Sequence, residues 1–254
     1  MILSVRDEAL ARQDCDNLRT FGVPALESPV HHAHPIAFDE VAVNKADGFI
    51  LTSQQAAYAL PDTRRDRPVF TVGRASAAAA RGRGYYNVFA GTADGTALAE
   101  MIAAHAEDGR ISFTDTLIWL RATKISTDMI TALSPRFSAL SQEVVYEMQE
   151  ADSLPDEVLG ALQKGQVSAI MVLSKAQLSA LVQLLHHHNL WQVRHKIALY
   201  VVSQAVGKAA EKQGWHAIDI ARRKRALSVQ ASVITHWYRT SAEGDSQGGC
   251  KRQK

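Results

Sequence analysis

The sequence predicts an α/β protein built from two similar domains, and three observations predict it. Several short runs are apolar at nearly every position, as expected for strands that are covered on both faces of a parallel sheet. Segments that can form helices alternate with these runs. The two halves of the chain also carry the same motifs in the same order, which indicates a diverged internal duplication. With 254 residues, the chain is long enough for two domains that each bury a core.

Six apolar runs are predicted to be strands, and each is followed by a segment that can form a helix. In one such segment Leu178, Leu181, Val182 and Leu185 recur at the spacing of a single helix face. The predicted strands cover residues 2–5, 49–51, 69–72, 117–120, 169–173 and 197–202. Helices on both faces of parallel sheets give three-layer domains.

The internal duplication shows in matching pairs of strand and loop segments. Residues 49–56 (FILTSQQA) match residues 170–177 (IMVLSKAQ) in pattern, and residues 69–84 match residues 199–214. The strand before Arg121 likewise corresponds to the strand that precedes the arginine at position 6. A repeat this long means two related α/β units, because solenoid repeats have periods of about 20 to 50 residues.

Two segments interrupt this order and are predicted to be crossings between the domains. One segment is rich in proline and histidine. The other is predicted to be extended at its start and has polar residues towards its end. The chain end carries almost no apolar residues, which predicts disorder. The predicted parts are a first domain of residues 1–30 and 152–240, a second domain of residues 36–143, connectors at 31–35 and 144–151, and a disordered tail at 241–254.

Composition excludes several classes of function. The 28 Lys and Arg residues against 26 Asp and Glu residues leave a net charge of +2, too small to imply nucleic-acid binding by the chain as a whole. Cys15 and Cys250 are too few for a disulfide framework, which favours a reducing compartment. No run approaches the ~20 apolar residues of a membrane span, so we expect a cytoplasmic protein. Glycine motifs for dinucleotides or nucleotide phosphates are also missing.

Small hydroxyl residues, glycine and arginine follow the predicted strands. Ligands of parallel sheets bind beyond the carboxyl ends of the strands, where helix N-termini present unpaired N–H groups. Together with bidentate arginine, such groups suit a ligand with several carboxylates. Ordinary helix capping is the alternative for each hydroxyl taken singly. The candidate residues are Arg6, Thr52, Ser53, Gly73, Ser76, Arg121, Ser174 and Ser203.

Clusters of histidine and arginine elsewhere are expected to be solvated. The histidines within 31–34 and 186–188 lack the spacing of a metal site, and we expect a loop and a polar helix end there. The basic run 222–225 and the arginines within 64–67 are expected to be solvated loops. Contact of the basic run with nucleic acid or with an acidic substrate stays open. No metal site is predicted.

One tyrosine, Tyr146, lies in the predicted second connector, where its side chain would face the space between the domains. A half-buried packing role is the alternative.

Taken in order, these motifs resemble the uroporphyrinogen-III synthase family over about residues 1–240. The segment 50–53 (ILTS) corresponds to the hydrophobic-Thr-Ser turn of the family, and residues 72–77 (VGRASA) correspond to its Val-Gly-x-x-Thr-Ala. The pairs at 120–121 (LR) and 145–146 (VY) and the triplet at 172–174 (VLS) also match. The sequence departs from the family at Ala122, where the family has glycine, and at Val206, where the second Thr-Ala pair is expected.

The resemblance implies two α/β domains with a wide cleft and a cofactor-free, monomeric lyase of haem biosynthesis. Its substrate would be hydroxymethylbilane, a linear tetrapyrrole with eight carboxylates, which is closed with loss of water and inversion of ring D. Tyr146 would assist departure of the hydroxyl, and the other candidate residues would bind the substrate. No nucleic-acid or membrane partner is implied, and transient contact with the upstream hydroxymethylbilane synthase stays open. The alternative is a non-catalytic two-domain protein that binds an anionic small molecule.

Overall fold

The computed structural model of this chain describes residues 1–91, 94–125 and 127–248, with side chains as far as residue 240. Its strands are β1 (Ile2–Ser4), β2 (Ala25–Glu27), β3 (His31–Pro35), β4 (Gly48–Leu51), β5 (Val69–Thr71), β6 (Val88–Ala90), β7 (Leu117–Ala122), β8 (Leu140–Glu150), β9 (Ala169–Val172), β10 (Ala198–Val201) and β11 (Ile218–Ile220). Its α-helices are α1 (Glu8–Thr20), α2 (Glu40–Lys45), α3 (Arg74–Gly82), α4 (Gly95–Glu107), α5 (Met129–Leu133), α6 (Asp156–Gln163), α7 (Lys175–His187), α8 (Gln204–Lys212) and α9 (Ala226–Gly248). Short 3-10 helices cover Gln55–Ala59 and Trp191–His195.

The chain divides into two compact units. Unit 1 comprises Met1–His32 and Gln149–Lys254, and unit 2 comprises Ala33–Met148. The sheet of unit 1 has the order β11-β10-β9-β1-β2 with parallel pairing throughout. In unit 2 the order is β3-β8-β7-β4-β5-β6, and the pairs from β8 to β6 are parallel. Apart from β3, the two sheets have the same spatial order of parallel strands when β9, β10, β11, β1 and β2 are matched with β4, β5, β6, β7 and β8, so their chain orders are related by a circular permutation. The predicted α/β class with parallel sheets is confirmed.

Alternate residues of the central strands in unit 2 enter two separate cores. Phe49 and Leu51 pack in one apolar cluster with Ala77 of α3, whereas Ile50 packs in another with Leu98 of α4. The strand is thus covered on both faces, which explains why its sequence is apolar at every position. The sheet and its two helical coverings form three layers.

In unit 1 the central strand β9 is buried at every residue. One apolar cluster joins this sheet to the helices around it, with Leu18 from α1, Leu162 from α6, Leu181 from α7 and Val233 from α9. This packing holds the strand ends and the loops that follow them in fixed positions, because tightly packed cores leave little room for movement.

Several local predictions differ from the structure. The histidines within 31–34, expected in a loop, form β3, which pairs with β8 at the edge of its sheet. The strand β4 is followed by a short 3-10 helix and not by an α-helix. At the chain end, α9 continues to Gly248, past residue 241 where disorder was predicted to begin. The rest of that predicted tail lies outside the described residues.

Arg67 is a structural residue and not part of a solvated loop, as the sequence suggested. Its side chain is only 2% exposed. The guanidinium donates to the backbone carbonyls of Asn44 and Ala46 at 3.0 and 2.9 Å, and it lies 4.7 Å from the ring centre of Phe49. These carbonyls satisfy the buried charge without a carboxylate.

None of the helices in the described part of the chain has the length and hydropathy that a transmembrane span requires.

Candidate active site

The predicted binding residues gather at the carboxyl end of each sheet. In unit 2 the Val72 N–H donates to the Leu51 carbonyl at 3.1 Å, which places the loop beginning at Thr52 beside Gly73. In unit 1 the Val202 N–H donates to the Val172 carbonyl at 3.3 Å, which places the neighbouring loops together in the same way. Each unit therefore presents a matched pair of loops at its sheet edge.

The helices α3 and α8 begin at these edges without a side-chain cap. Gly73 and Ser203 occupy the N-cap positions in extended conformations, with φ of −170° and −160°, and no side chain of the described residues accepts a hydrogen bond there. By contrast, Asp7, Asp94 and Ser174 cap α1, α4 and α7. Helix N-termini attract anions because their first N–H groups lack intrahelical partners and carry the positive end of the dipole.

The first-turn amides of both helices are open to a ligand. In α3 the residues at 74 and 75 are exposed, and in α8 the residues at 204 and 205 are exposed in the same pattern. None of these four amides donates a hydrogen bond to the described residues. Neither first turn contains an acidic residue that would compete with an anion. The two units therefore present equivalent, uncapped first turns.

The hydroxyl of Ser174 serves its own helix. Its Oγ accepts from the Gln177 N–H at 3.1 Å, and the Gln177 side chain accepts from the Leu173 N–H at 2.8 Å. This arrangement is close to a capping box. Ordinary capping therefore accounts for the Ser174 oxygen as an acceptor, while its hydroxyl can still donate, and its predicted contact with substrate stays a prediction.

The predicted hydroxyls of unit 2 are also engaged or buried. Thr52 Oγ1 accepts from the Trp119 indole N–H at 3.2 Å. Ser53 Oγ accepts from the Gln55 N–H at 3.2 Å and donates to the side-chain oxygen of the same residue. Ser76 is 5% exposed within α3. These side chains shape the loop and the first helical turn.

Arg6 is anchored inside unit 1 by a buried carboxylate. Its guanidinium lies 3.0 Å from Asp14 Oδ1, and the two side chains are 15% and 2% exposed. Asp14 also accepts from Ser4 Oγ at 2.8 Å and from Gln230 Nε2 at 2.6 Å. The arginine thus braces the end of β1, and its predicted contact with substrate stays a prediction.

This network was not predicted from the sequence. Asp14 follows Ala11 by three positions and precedes Leu18 by four, so it lies on the buried face of α1. A charged residue on an apolar helix face is a signal that could have found it. Its neighbour Asp7 caps α1 by accepting from the Leu10 N–H at 3.3 Å, and burial raises the pKa of the Asp7 carboxyl.

Arg121 braces the end of β7 in unit 2. Its Nε donates to Gln142 Oε1 at 2.9 Å, and another guanidinium nitrogen donates to the Ala122 carbonyl at 2.8 Å. The guanidinium carbon lies 5.6 Å from the ring centre of Trp119. A substrate carboxylate would have to compete with these bonds.

Tyr146 is more buried than the sequence predicted. It lies on β8 opposite Ala122 of β7, and its side chain is 5% exposed. The ring belongs to the apolar cluster that contains Leu120 and Phe49. The expected open side chain on a connector is therefore replaced by packing within unit 2, because β8 continues as part of the sheet.

Among the described residues, no group of three or more His, Cys, Asp or Glu side chains is placed to hold a metal ion. His186 stacks on Trp191 with 4.6 Å between ring centres at the end of α7. His188 Nε2 lies 3.1 Å from Ser153 Oγ. These contacts fit the polar helix end that the sequence predicted.

Comparison with protein families gives a match that covers most of the chain. The family model described as "Uroporphyrinogen-III synthase HemD" matches residues 13–229, which include strands and loops of both units. The chain belongs to the uroporphyrinogen-III synthase family. Membership in the uroporphyrinogen-III synthase family confirms the predicted class of a cyclising lyase in haem biosynthesis with a tetrapyrrole substrate. Nothing in the comparisons favours the alternative of a non-catalytic binding protein.

A solved structure of a uroporphyrinogen-III synthetase shares the fold. The enzyme named uroporphyrinogen-III synthetase from Helicobacter pylori is 14% identical, with 92% of this chain and 98% of that chain covered and a TM-score of 0.58. A mutant uroporphyrinogen III synthase from the extremely thermophilic bacterium Thermus thermophilus is also 14% identical, with 96% and 98% covered and a TM-score of 0.43. Comparison with curated protein sequences gives no match.

Proposed function

We propose that this chain converts hydroxymethylbilane into uroporphyrinogen III and binds carboxylates of the substrate at the N-termini of α3 and α8. The supporting observation is the matched pair of uncapped helices, whose first-turn amides are open in both units. A carboxylate at such a position is stabilised by about 0.3–1 kcal/mol when it is exposed. Several such contacts hold a flexible polycarboxylate in one conformation.

Positioning is the main task in the proposed reaction. The hydroxyl of the substrate leaves as water, a new carbon–carbon bond closes the ring, ring D is inverted, and a proton is released. The reactive cation forms readily, and left alone the chain closes without inversion. The enzyme therefore selects the product by holding the chain in the geometry that leads to inversion.

The remaining candidate residues act in this proposal mainly by fixing the loops. Thr52, Ser53, Ser76 and Ser174 set the backbone of the first turns, and the amides of these turns contact the substrate. Arg6 and Arg121 keep the strand ends in place, each through hydrogen bonds to its own unit. Direct contact of either guanidinium with a carboxylate is the second role proposed for them.

The function is tested by identifying the product isomer. Purified protein is supplied with freshly made hydroxymethylbilane, and the porphyrins are separated after oxidation. We expect the inverted isomer, formed faster than spontaneous closure, while heat-denatured protein gives the symmetrical isomer. Only the symmetrical isomer at the spontaneous rate would contradict the proposal and favour a non-catalytic binding protein.

We propose that Tyr146 donates a hydrogen bond or a proton to the departing hydroxyl. The residue is 5% exposed, so the role requires that its hydroxyl contribute to the exposed part. Tyr146→Phe is expected to lower kcat by about 100-fold, a typical contribution of acid catalysis. The ring stays packed, so the free energy of unfolding should change by about 1 kcal/mol or less. Steady-state kinetics and denaturant unfolding measure the two effects, and an unchanged kcat would assign Tyr146 to packing alone.

We also propose that the protein acts as a monomer in the cytoplasm and leave open a transient contact with the upstream hydroxymethylbilane synthase. The low cysteine count supports a reducing compartment.

A further inference from the structure

A run of four consecutive cations follows the edge strand β11 in unit 1. Residues 222–225 have the sequence RRKR, and all four are exposed. None of them forms a salt bridge with the described residues, although several other exposed arginines do. The loop therefore presents concentrated positive charge that no ion pair with the described residues of its unit neutralises.

The strand register places this loop beside the N-terminus of α8. Val201 of β10 pairs with Ile220 of β11, and the Ala221 N–H donates to the Val201 carbonyl at 2.9 Å. Adjacent strands lie about 4.8 Å apart. Arg222 and Ser203 are each two residues past this pair, so the cations begin at the same sheet edge as the open amides of α8.

A polar groove continues from the loop along α9. It has a volume of about 430 Å³ and is lined by Arg222 at the loop and by Arg239 on α9. Hydroxyl side chains of α9 also line it, and Asp219 is the one carboxylate among its described lining residues. Burial raises the pKa of Tyr200, another lining residue, to about 12, so its phenol remains a hydrogen-bond donor. Cationic and hydroxyl side chains therefore outnumber the single carboxylate among the described lining residues.

We propose that residues 222–225 and the adjoining groove form an anion subsite that binds peripheral carboxylates of the substrate next to α8. This inference rests on the proposed function and deepens it. The corresponding sequence after β6 in unit 2 reads GTAD at residues 91–94 and contains no cation. The subsite thus distinguishes the loop after β11 from the loop after β6.

This subsite increases the affinity for the substrate and helps to capture it. It does not determine which product isomer forms. Exposed arginine and lysine side chains attract anions over several ångströms but fix their geometry weakly, and salt screens the attraction within about 8–10 Å. The rigid amides of the helix N-termini determine conformation. KM should therefore depend on the loop much more than kcat or the isomer ratio does.

The test compares two double variants with the same change in charge. Arg222→Gln with Arg223→Gln removes two charges from the loop. Lys164→Gln with Lys196→Gln removes two exposed charges that precede β9 and β10, at the amino end of the same sheet. At low salt the loop variant should raise KM about tenfold, as expected for the loss of a charge-assisted hydrogen bond. The control should change KM by less than about twofold.

The product isomer, the KM values, their salt dependence and DNA binding decide the inference, with thermal unfolding as a check on folding. The wild type must first give the inverted isomer, because its failure to do so contradicts the proposed function itself. If it does, an equal KM for the loop variant and the control overturns the subsite, provided that thermal unfolding shows both to be folded. The KM of the wild type should rise with salt more steeply than that of the loop variant. Salt-sensitive binding to duplex DNA that is lost in the loop variant, with KM unchanged, would assign the loop to nucleic acid.

Discussion

Replacing Ser203 by aspartate is expected to abolish most of the activity while making α8 more stable. The serine stands at the N-cap without capping the helix. A carboxylate there accepts the first-turn N–H groups, and an N-cap bond of this kind is worth about 1 kcal/mol. The same carboxylate occupies the proposed substrate position and repels the carboxylate of the substrate, so kcat/KM should fall by about 100-fold or more. Steady-state kinetics and denaturant unfolding measure the two effects.

Asparagine provides the matched control because it accepts the same hydrogen bond without a charge. Ser203→Asn should therefore gain similar stability and lose much less activity than Ser203→Asp. Gly73 allows the same pair of substitutions in unit 2, since its φ of −170° is extended and an added Cβ would meet no atom within 4 Å. If the aspartate variants at both positions keep wild-type kinetics, these N-termini do not bind the substrate.

Replacing Asp14 by alanine is expected to destabilise unit 1 strongly. The substitution leaves the Arg6 guanidinium, the buried Ser4 hydroxyl and the Gln230 amide without their shared acceptor. Removing one partner of a buried ion pair lowers the free energy of unfolding by about 3–5 kcal/mol, because the remaining charge stays buried without a partner. That is a large part of the ~5–15 kcal/mol by which folded domains are stable. Denaturant unfolding measures the loss.

Asp16 provides a control on the same helix. Its side chain is 62% exposed and pairs with Arg19, which is 48% exposed. Asp16→Ala should cost less than about 1 kcal/mol, because exposed ion pairs contribute little. Equal losses for Asp14→Ala and Asp16→Ala would show that the buried network does not stabilise the fold. Arg6 would then be a stronger candidate for direct contact with substrate.

The strands that sequence analysis located most clearly are the ones buried on both faces. Every residue of β4 and β9 is buried, so the apolar pattern follows directly from the position of the strand in the sheet. The edge strands β6 and β11 are only three residues long and largely half-exposed, and Asp219 interrupts the apolar pattern of β11. Burial leaves a pattern in the sequence, whereas pairing at an exposed edge leaves very little.

The sequence by itself determined the parallel α/β class, the duplication and the loops that lie at equivalent strand ends, because each depends on periodicity and order along the chain. Only the tertiary structure decided what the side chains at those ends do. Ser174 caps its helix, whereas Ser203 does not. Arg6 pairs with Asp14, which also accepts a hydrogen bond from Gln230, 216 positions away in the chain. Such partnerships depend on rotamers and long-range packing, which a local pattern does not encode.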